Sequence, residues 1–163
     1  MPDTAPTVTL APMTPAEFAA WREASLPLYA RDKVVSGEWR EDESLARARA
    51  EVEALLPHGL ATPGQHLWTI RDRASGERVG TLWVGEQASG ARRVAYVFDL
   101  LVAPDRRRRG YARAAFLALE RELAPLGLAG ISLHVFGHNA AARALYESLG
   151  YAATNVMMFK PLR

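Results

Sequence analysis

Val102-Ala103-Pro104-Asp105-Arg106-Arg107-Arg108-Arg109-Gly110-Tyr111-Ala112 joins a strand-like segment, residues 94–102, to a helix-like one, residues 112–123. A strand, a basic turn holding a glycine and a helix start together make an anion site. The first backbone N–H groups of a helix lack intrahelical partners, and the helix dipole places partial positive charge there. Glycine lets an anion approach the backbone closely, and a phosphate suits that place. The consecutive arginines Arg106, Arg107, Arg108 and Arg109 add long-range attraction. The plainer reading is a solvated basic loop with a glycine turn.

Outward from this turn the chain alternates helical and strand-like patterns. Residues 7–10 read as a short strand. Thr14-Pro15-Ala16-Glu17 offers an N-cap, a proline at the first helical position and an acid in the first turn. Phe18, Trp21, Ala24 and Leu28 follow at helical spacing to about Tyr29, with Pro27 placed to kink or end the helix. Residues 43–56 give a second helix, with Leu45, Ala48, Val52 and Leu55 on one face. The Pro- and Gly-bearing residues 57–64 read as a loop.

Residues 66–70, 78–84 and 94–102 read as strands, and 71–77 make a hairpin turn between the first two. The third is the most apolar, as suits a central strand. The helix after the basic turn buries Phe116, Leu119 and Leu123 and ends at Pro125 and Gly127. Residues 131–136 give another strand, and 139–149 a short helix stopped by Gly150. Residues 152–162 supply a final strand or two. The order β-α-α-β-β-β-α-β-α-β is a mixed α/β plan, expected to form one domain over residues 1–163.

His138-Asn139-Ala140-Ala141-Ala142-Arg143-Ala144-Leu145-Tyr146-Glu147-Ser148-Leu149-Gly150-Tyr151 is the second marker. Asn139 can cap the helix; Ala142, Leu145 and Leu149 form its apolar face. Arg143 and Glu147 can pair on the outside, and Gly150 suits a left-handed end. Tyr146 projects on the same side as Asn139, about two turns further on.

Together the two stretches resemble the GCN5-related N-acetyltransferases, the GNAT family. Arg107-Arg108-Arg109-Gly110-Tyr111-Ala112 resembles its Q/R-x-x-G-x-G/A signature, with Val102 and Pro104 where the family carries V-x-P. Asn139, Ala142, Leu145, Tyr146, Gly150 and Tyr151 match N-x-x-A-x-x-L-Y-x-x-x-G-F/Y. The element order matches over essentially the whole chain, and residues 55–63 look like a segment of uncharacterised bacterial members. The resemblance implies a mostly antiparallel central sheet flanked by helices. It implies acetyl-CoA as acetyl donor, its pyrophosphate held by Arg107, Arg108, Arg109, Gly110, Tyr111 and Ala112. It sets the Asn139 side chain against the pantetheine arm or nearby backbone, and the Tyr146 hydroxyl near the thioester sulfur as general acid. The structural alternatives are a pure helix cap for Asn139 and a hydrogen-bonded core aromatic for Tyr146.

Acetyl transfer to an amine makes further demands. The carbonyl oxygen needs a donor as charge develops, and a backbone N–H at Leu101 or Val102 can serve. The amine must lose a proton to a base or a water chain. Asp99 stands in the otherwise apolar run Tyr96-Val97-Phe98-Asp99-Leu100-Leu101-Val102, where a carboxylate is costly unless it is paired. His134 is its rival: Ser132, His134 and Phe136 share one strand face. Either can be structural instead, Asp99 paired with an arginine or backbone donors. His138 supports the turn beside Asn139. As in the family, the acceptor site falls to the first two helices, where Tyr29, Arg31, Trp39, Arg40 and Glu23 are available.

Composition narrows the classes. The chain has 163 residues, 49% hydrophobic, with a formal net charge of +2. No run of roughly 18 apolar residues is present, so no membrane span is expected. Residues 1–9 lack a basic-then-apolar leader, which makes a cytoplasmic protein the expectation. Cysteine is absent, removing a cysteine acyl-enzyme route and leaving direct transfer in a ternary complex. The histidines lack ligand spacing, so no metal is expected. The arginine cluster has no basic, aromatic-studded surface around it, and nucleic acid is not an expected partner. The expected partners are acetyl-CoA and a primary amine, on a small molecule or a peptide. A homodimer is compatible with the family resemblance. A non-catalytic acyl-CoA-binding sensor or interaction module is the alternative reading.

Overall fold

The computed structural model describes residues 5–162. One sheet runs in the order β1 (Val8–Pro12), β2 (Gln65–Asp72), β3 (Arg78–Ser89), β4 (Arg92–Val102) and β5 (Ile131–Leu133). Every pairing is antiparallel except β4 with β5, which is parallel. The helices are α1 (Pro15–Val35), α2 (Glu41–Leu55), α3 (Tyr111–Leu123) and α4 (Ala140–Ser148).

Strand alternation sorts the core into two layers. On one face Ile70, Val79, Leu82 and Val84 pack with Phe116 and Leu119 of α3 and with Leu145 and Tyr146 of α4. On the other, Leu67 and Trp83 pack with Trp21, Leu26, Ala48 and Val52 of α1 and α2. A bulge interrupts β4: Trp83 faces Asp99, but Val84 faces Val97, so Phe98 is the extra residue. Regular alternation would send Asp99 to the face of Val97. The bulge resets the phase and turns Asp99 toward α1.

Several sequence expectations shift. Helix α1 does not stop at Tyr29; it begins on a complete capping box, Thr14 with Glu17, and runs through Pro27 to Val35. Both Pro27 and Glu23, whose carbonyl the proline leaves without a donor, are exposed, so water can take the missing bond. The buried stripe of α1 is Trp21, Ser25, Leu26 and Ala30, while Leu28 is exposed. In α2 the buried residues are Ser44, Ala48 and Val52, and Leu45 faces solvent. Strand β5 ends at Leu133, three residues before the expected Phe136. The expected final strand over residues 152–162 is not formed: the segment is unpaired and exposed, because nothing in the chain lies alongside it.

Candidate active site

The fold opens where β4 and β5 part. Strand β5 pairs only with Ala95, Tyr96 and Val97; beyond them β4 continues to Val102 against β3 alone. The Ala103 N–H donates to the Val79 carbonyl at 2.9 Å. Alternation therefore aims the Val102 N–H away from β3, into the gap, and the Leu101 N–H toward β3. Of the two donors expected from sequence, Val102 faces the gap; Leu101 gives its side chain to the wall.

Beyond Val102 the chain turns through Pro104–Arg106 into α3. Gly110, at φ 86°, is the N-cap residue of α3, and no side chain caps that helix. Arg108 is also left-handed, at φ 59°. The two bend the turn into a concave run of N–H groups at the positive end of the α3 dipole. The Arg107 Nε donates to the Val102 carbonyl at 3.0 Å, which holds its side chain on the cavity wall. Arg108 and Arg109 are exposed and make no ion pair among the described residues. Arg106 turns away to Glu77 at 2.7 Å and Asp105 at 3.3 Å. Tyr111 offers only its backbone here: its ring is buried and its hydroxyl donates to Asp72 at 2.9 Å. Ala112 lies in the first turn of α3.

The gap widens into a cavity of about 1060 Å³ bounded by α1, β4, the segment after β5 and α4. Asp99 and Tyr146 both line it. Asp99 Oδ2 accepts from the Trp21 indole Nε1 at 2.9 Å, so its partner is neither an arginine nor the backbone. Burial lifts the Asp99 carboxyl above the usual carboxylate range, and the Trp21 bond opposes the rise; the Asp32 charge adds to it. Burial, and then the Asp99 charge, raise the Tyr146 phenol. The Tyr146 ring sits edge-on to Phe116 at 5.4 Å. His134 lines the same cavity beyond the end of β5, exposed and edge-on to Phe136 at 5.0 Å. Asn139 caps α4, its Oδ1 accepting from the Ala142 N–H at 3.1 Å, and also lines the wall.

Of the residues expected to meet the acceptor, Tyr29 and Arg31 line the cavity. Trp39 is buried behind Tyr29, ring centroids 5.5 Å apart. Arg40 is exposed and pairs with Asp42 at 3.2 Å. Glu23 faces solvent, off the cavity. Sequence reasoning missed the acids Asp32, Glu38 and Glu51 and the indole of Trp21, all on the wall. Trp21, Ser25 and Asp32 follow the i, i+4, i+11 spacing of one helical stripe, a signal that a longer α1 would have exposed. Glu51 accepts from the Tyr29 hydroxyl at 2.8 Å, and Lys33 pairs with Glu38 at 2.6 Å. No cluster of metal-ligating side chains occurs among the described residues.

Comparison with known families matches residues 19–151 to the acetyltransferase (GNAT) family. The N-acetyltransferase YycN of Bacillus subtilis is 35% identical over 156 residues, spanning 96% of this chain and 99% of YycN. YdgE of the same organism is 33% identical over 154 residues, spanning 94% and 98%. The crystal structure of YycN superposes with a TM-score of 0.89 at 34% identity, over 96% of this chain and 99% of that one. The aminoglycoside N-acetyltransferase AAC(6')-Iy in complex with CoA shares the fold, with a TM-score of 0.62 at 16% identity, over 100% and 99%. The chain belongs to the GNAT family and is an N-acetyltransferase. The family draws its acetyl group from acetyl-CoA. The uncapped α3 N-terminus, the left-handed Gly110 and the unpaired Arg108 and Arg109 fit the phosphates of such a donor.

Proposed function

We propose that residues 1–163 act as one domain that transfers the acetyl group of acetyl-CoA directly to a primary amine within a ternary complex. The observation that carries this reading is the joint placement of Asp99 and Tyr146 on the cavity where β4 and β5 part. When bound, acetyl-CoA supplies the thioester carbonyl that the amine attacks. The backbone N–H groups of Arg109, Gly110, Tyr111 and Ala112 and the guanidinium groups of Arg107, Arg108 and Arg109 hold its phosphates. The Val102 N–H donates to the carbonyl oxygen. Asp99, whose raised pKa makes it a better proton acceptor than an ordinary carboxylate, takes the proton of the amine. Tyr146 hands its proton to the departing sulfur. His134 is the second candidate base, reached through water. Asn139 acts as cap and wall together.

The wall acids Asp32, Glu38 and Glu51 favour an acceptor that arrives as a cation, on a small molecule or a peptide. The protein is assigned to the cytoplasm, where acetyl-CoA is available.

The test is calorimetric titration with acetyl-CoA, repeated on Gly110→Glu. A Cβ at Gly110 meets Pro6 Cδ at 3.2 Å, and φ +86° already disfavours a side chain there. Micromolar binding lost in the variant, with CoA released in the presence of amines, is expected. Unimpaired binding in Gly110→Glu would place the phosphates elsewhere. Binding without transfer to any amine would favour the sensor reading.

A further inference from the structure

The segment that follows α4 lies outside everything described so far. It leaves Gly150, at φ +89°, and Tyr151, and residues 152–162 then run extended from the body. None of them makes a hydrogen bond among the described residues. Yet Val156, Met157, Met158, Phe159 and Leu162 are 75%, 99%, 90%, 90% and 95% exposed. In an extended chain Val156 and Met158 point to one side and Met157 and Phe159 to the other. A strand apolar on both sides needs cover on both sides.

The chain also carries the matching half of such a contact. Strand β5 is a sheet edge, paired on one side only. Beside it lies a cavity of about 460 Å³ walled by Leu123, Leu128, Ile131, Leu149 and Tyr151. The Tyr151 hydroxyl is buried there without a hydrogen-bond partner. A backbone entering alongside β5 supplies that partner and fills the cavity. The opposite edge, β1, includes Pro12 and is a poor template.

We propose that two copies of this chain exchange these arms, residues 152–162 of one protomer lying along the open edge of β5 in the other. The exchange is isologous and closes as a twofold dimer, because each copy offers one arm and one edge. The five large side chains present on the order of 800 Å² per arm. Two arms therefore cover about 1,600 Å², the size of a standard specific interface. A partner of different sequence would leave the arm and the edge each needing its own complement, whereas a second copy satisfies both.

Light scattering on the size-exclusion eluate of the whole chain tests this, alongside the double variant Met157→Asp/Phe159→Asp. Those side chains touch nothing in their own chain, so circular dichroism should be unchanged by the substitutions. The wild type is expected at twice the 17.9 kDa chain mass and the variant at 17.9 kDa. Hydrogen exchange should be slower in the wild type than in the variant, both over residues 152–162 and over residues 131–133. A wild type that stays at single-chain mass at high concentration overturns the proposal, as an arm folded onto its own β5 would give. So does a dimer that survives the double substitution, and so does protection of the arm without protection of β5. None of these readouts depends on acetyl-CoA binding.

Discussion

The two halves of β4 share one strand and one partner, β3, yet they do opposite work. Near Val97 the strand is held on both sides, by β3 and by β5, and Ala95 and Val97 are buried in the core with α3. From Phe98 to Val102 the second partner is gone, and the half carries a carboxylate and an N–H that faces the gap. The bulge at Phe98 marks the boundary. A strand with both edges paired has no free donors to spend on a ligand. Releasing one edge, and rephasing one side chain, turns the same strand into a wall of a reaction chamber. The closed half then sets stability, and the open half sets chemistry at some expense of it.

The sharpest way to break that division is Asp99→Asn. The amide keeps an oxygen for the Trp21 indole and removes the proton acceptor, so kcat/KM is expected to fall about a thousandfold. If Asp99 is the base, the acidic limb of the wild-type pH profile lies above 3.8, because burial has raised its pKa. Stability should move the other way. A carboxyl whose pKa is raised on folding holds its proton longer in the folded state than in the unfolded chain. The fold is therefore penalised as pH rises from 3.8 through the folded pKa, and fully so above it. The asparagine lacks this penalty, so thermal unfolding at neutral pH should move up, and the gain should vanish in acid. Unchanged turnover would take Asp99 out of the mechanism; a lower melting temperature at neutral pH would make it a structural acid.

A smaller effect is expected from Tyr146→Phe. The ring keeps its contact with Phe116, so the fold and acetyl-CoA affinity should hold. Losing the hydroxyl should cost about a hundredfold in kcat. An equal loss in acetyl-CoA affinity would mean that Tyr146 shapes the cavity instead of supplying a proton.

What the sequence revealed divides along the same line. The Thr14 capping box, Asn139 as a cap and the left-handed Gly110 and Gly150 are local chemistry, written in neighbouring residues. They were legible, and so were Tyr146 and the turn from Arg107 to Ala112. The phase of Asp99 was not, because the Phe98 bulge is defined by register against β3, not by anything within β4. The early end of β5 is likewise set by strand divergence, so His134 falls beyond the strand on which alternation placed it. The acids of the acceptor wall were hidden by Pro27. A proline on a solvent face leaves a helix intact, and Asp32 sits in the turn that follows. Residues 152–162 carry a strand-like pattern but lack a partner within the chain, and pairing is what makes a strand.

The closed half offers the mildest and most discriminating test. Val84 is fully buried and faces Val97 at the last register before the bulge. Val84→Ala removes two methyl groups from the α3 side of the core and should cost about 2 kcal/mol of folding stability. Nothing in the cavity wall touches that position, so kcat and the acetyl-CoA affinity of the folded enzyme should stay within about threefold of wild type. A drop in activity comparable to that of Tyr146→Phe would show that the bulge transmits strain across the boundary. The splay would then depend on close packing at Val84, and the two halves of β4 would be one mechanical unit. Activity that holds while stability falls keeps them separate, with the bulge as the joint that lets a destabilising carboxylate stand one residue past a packed core.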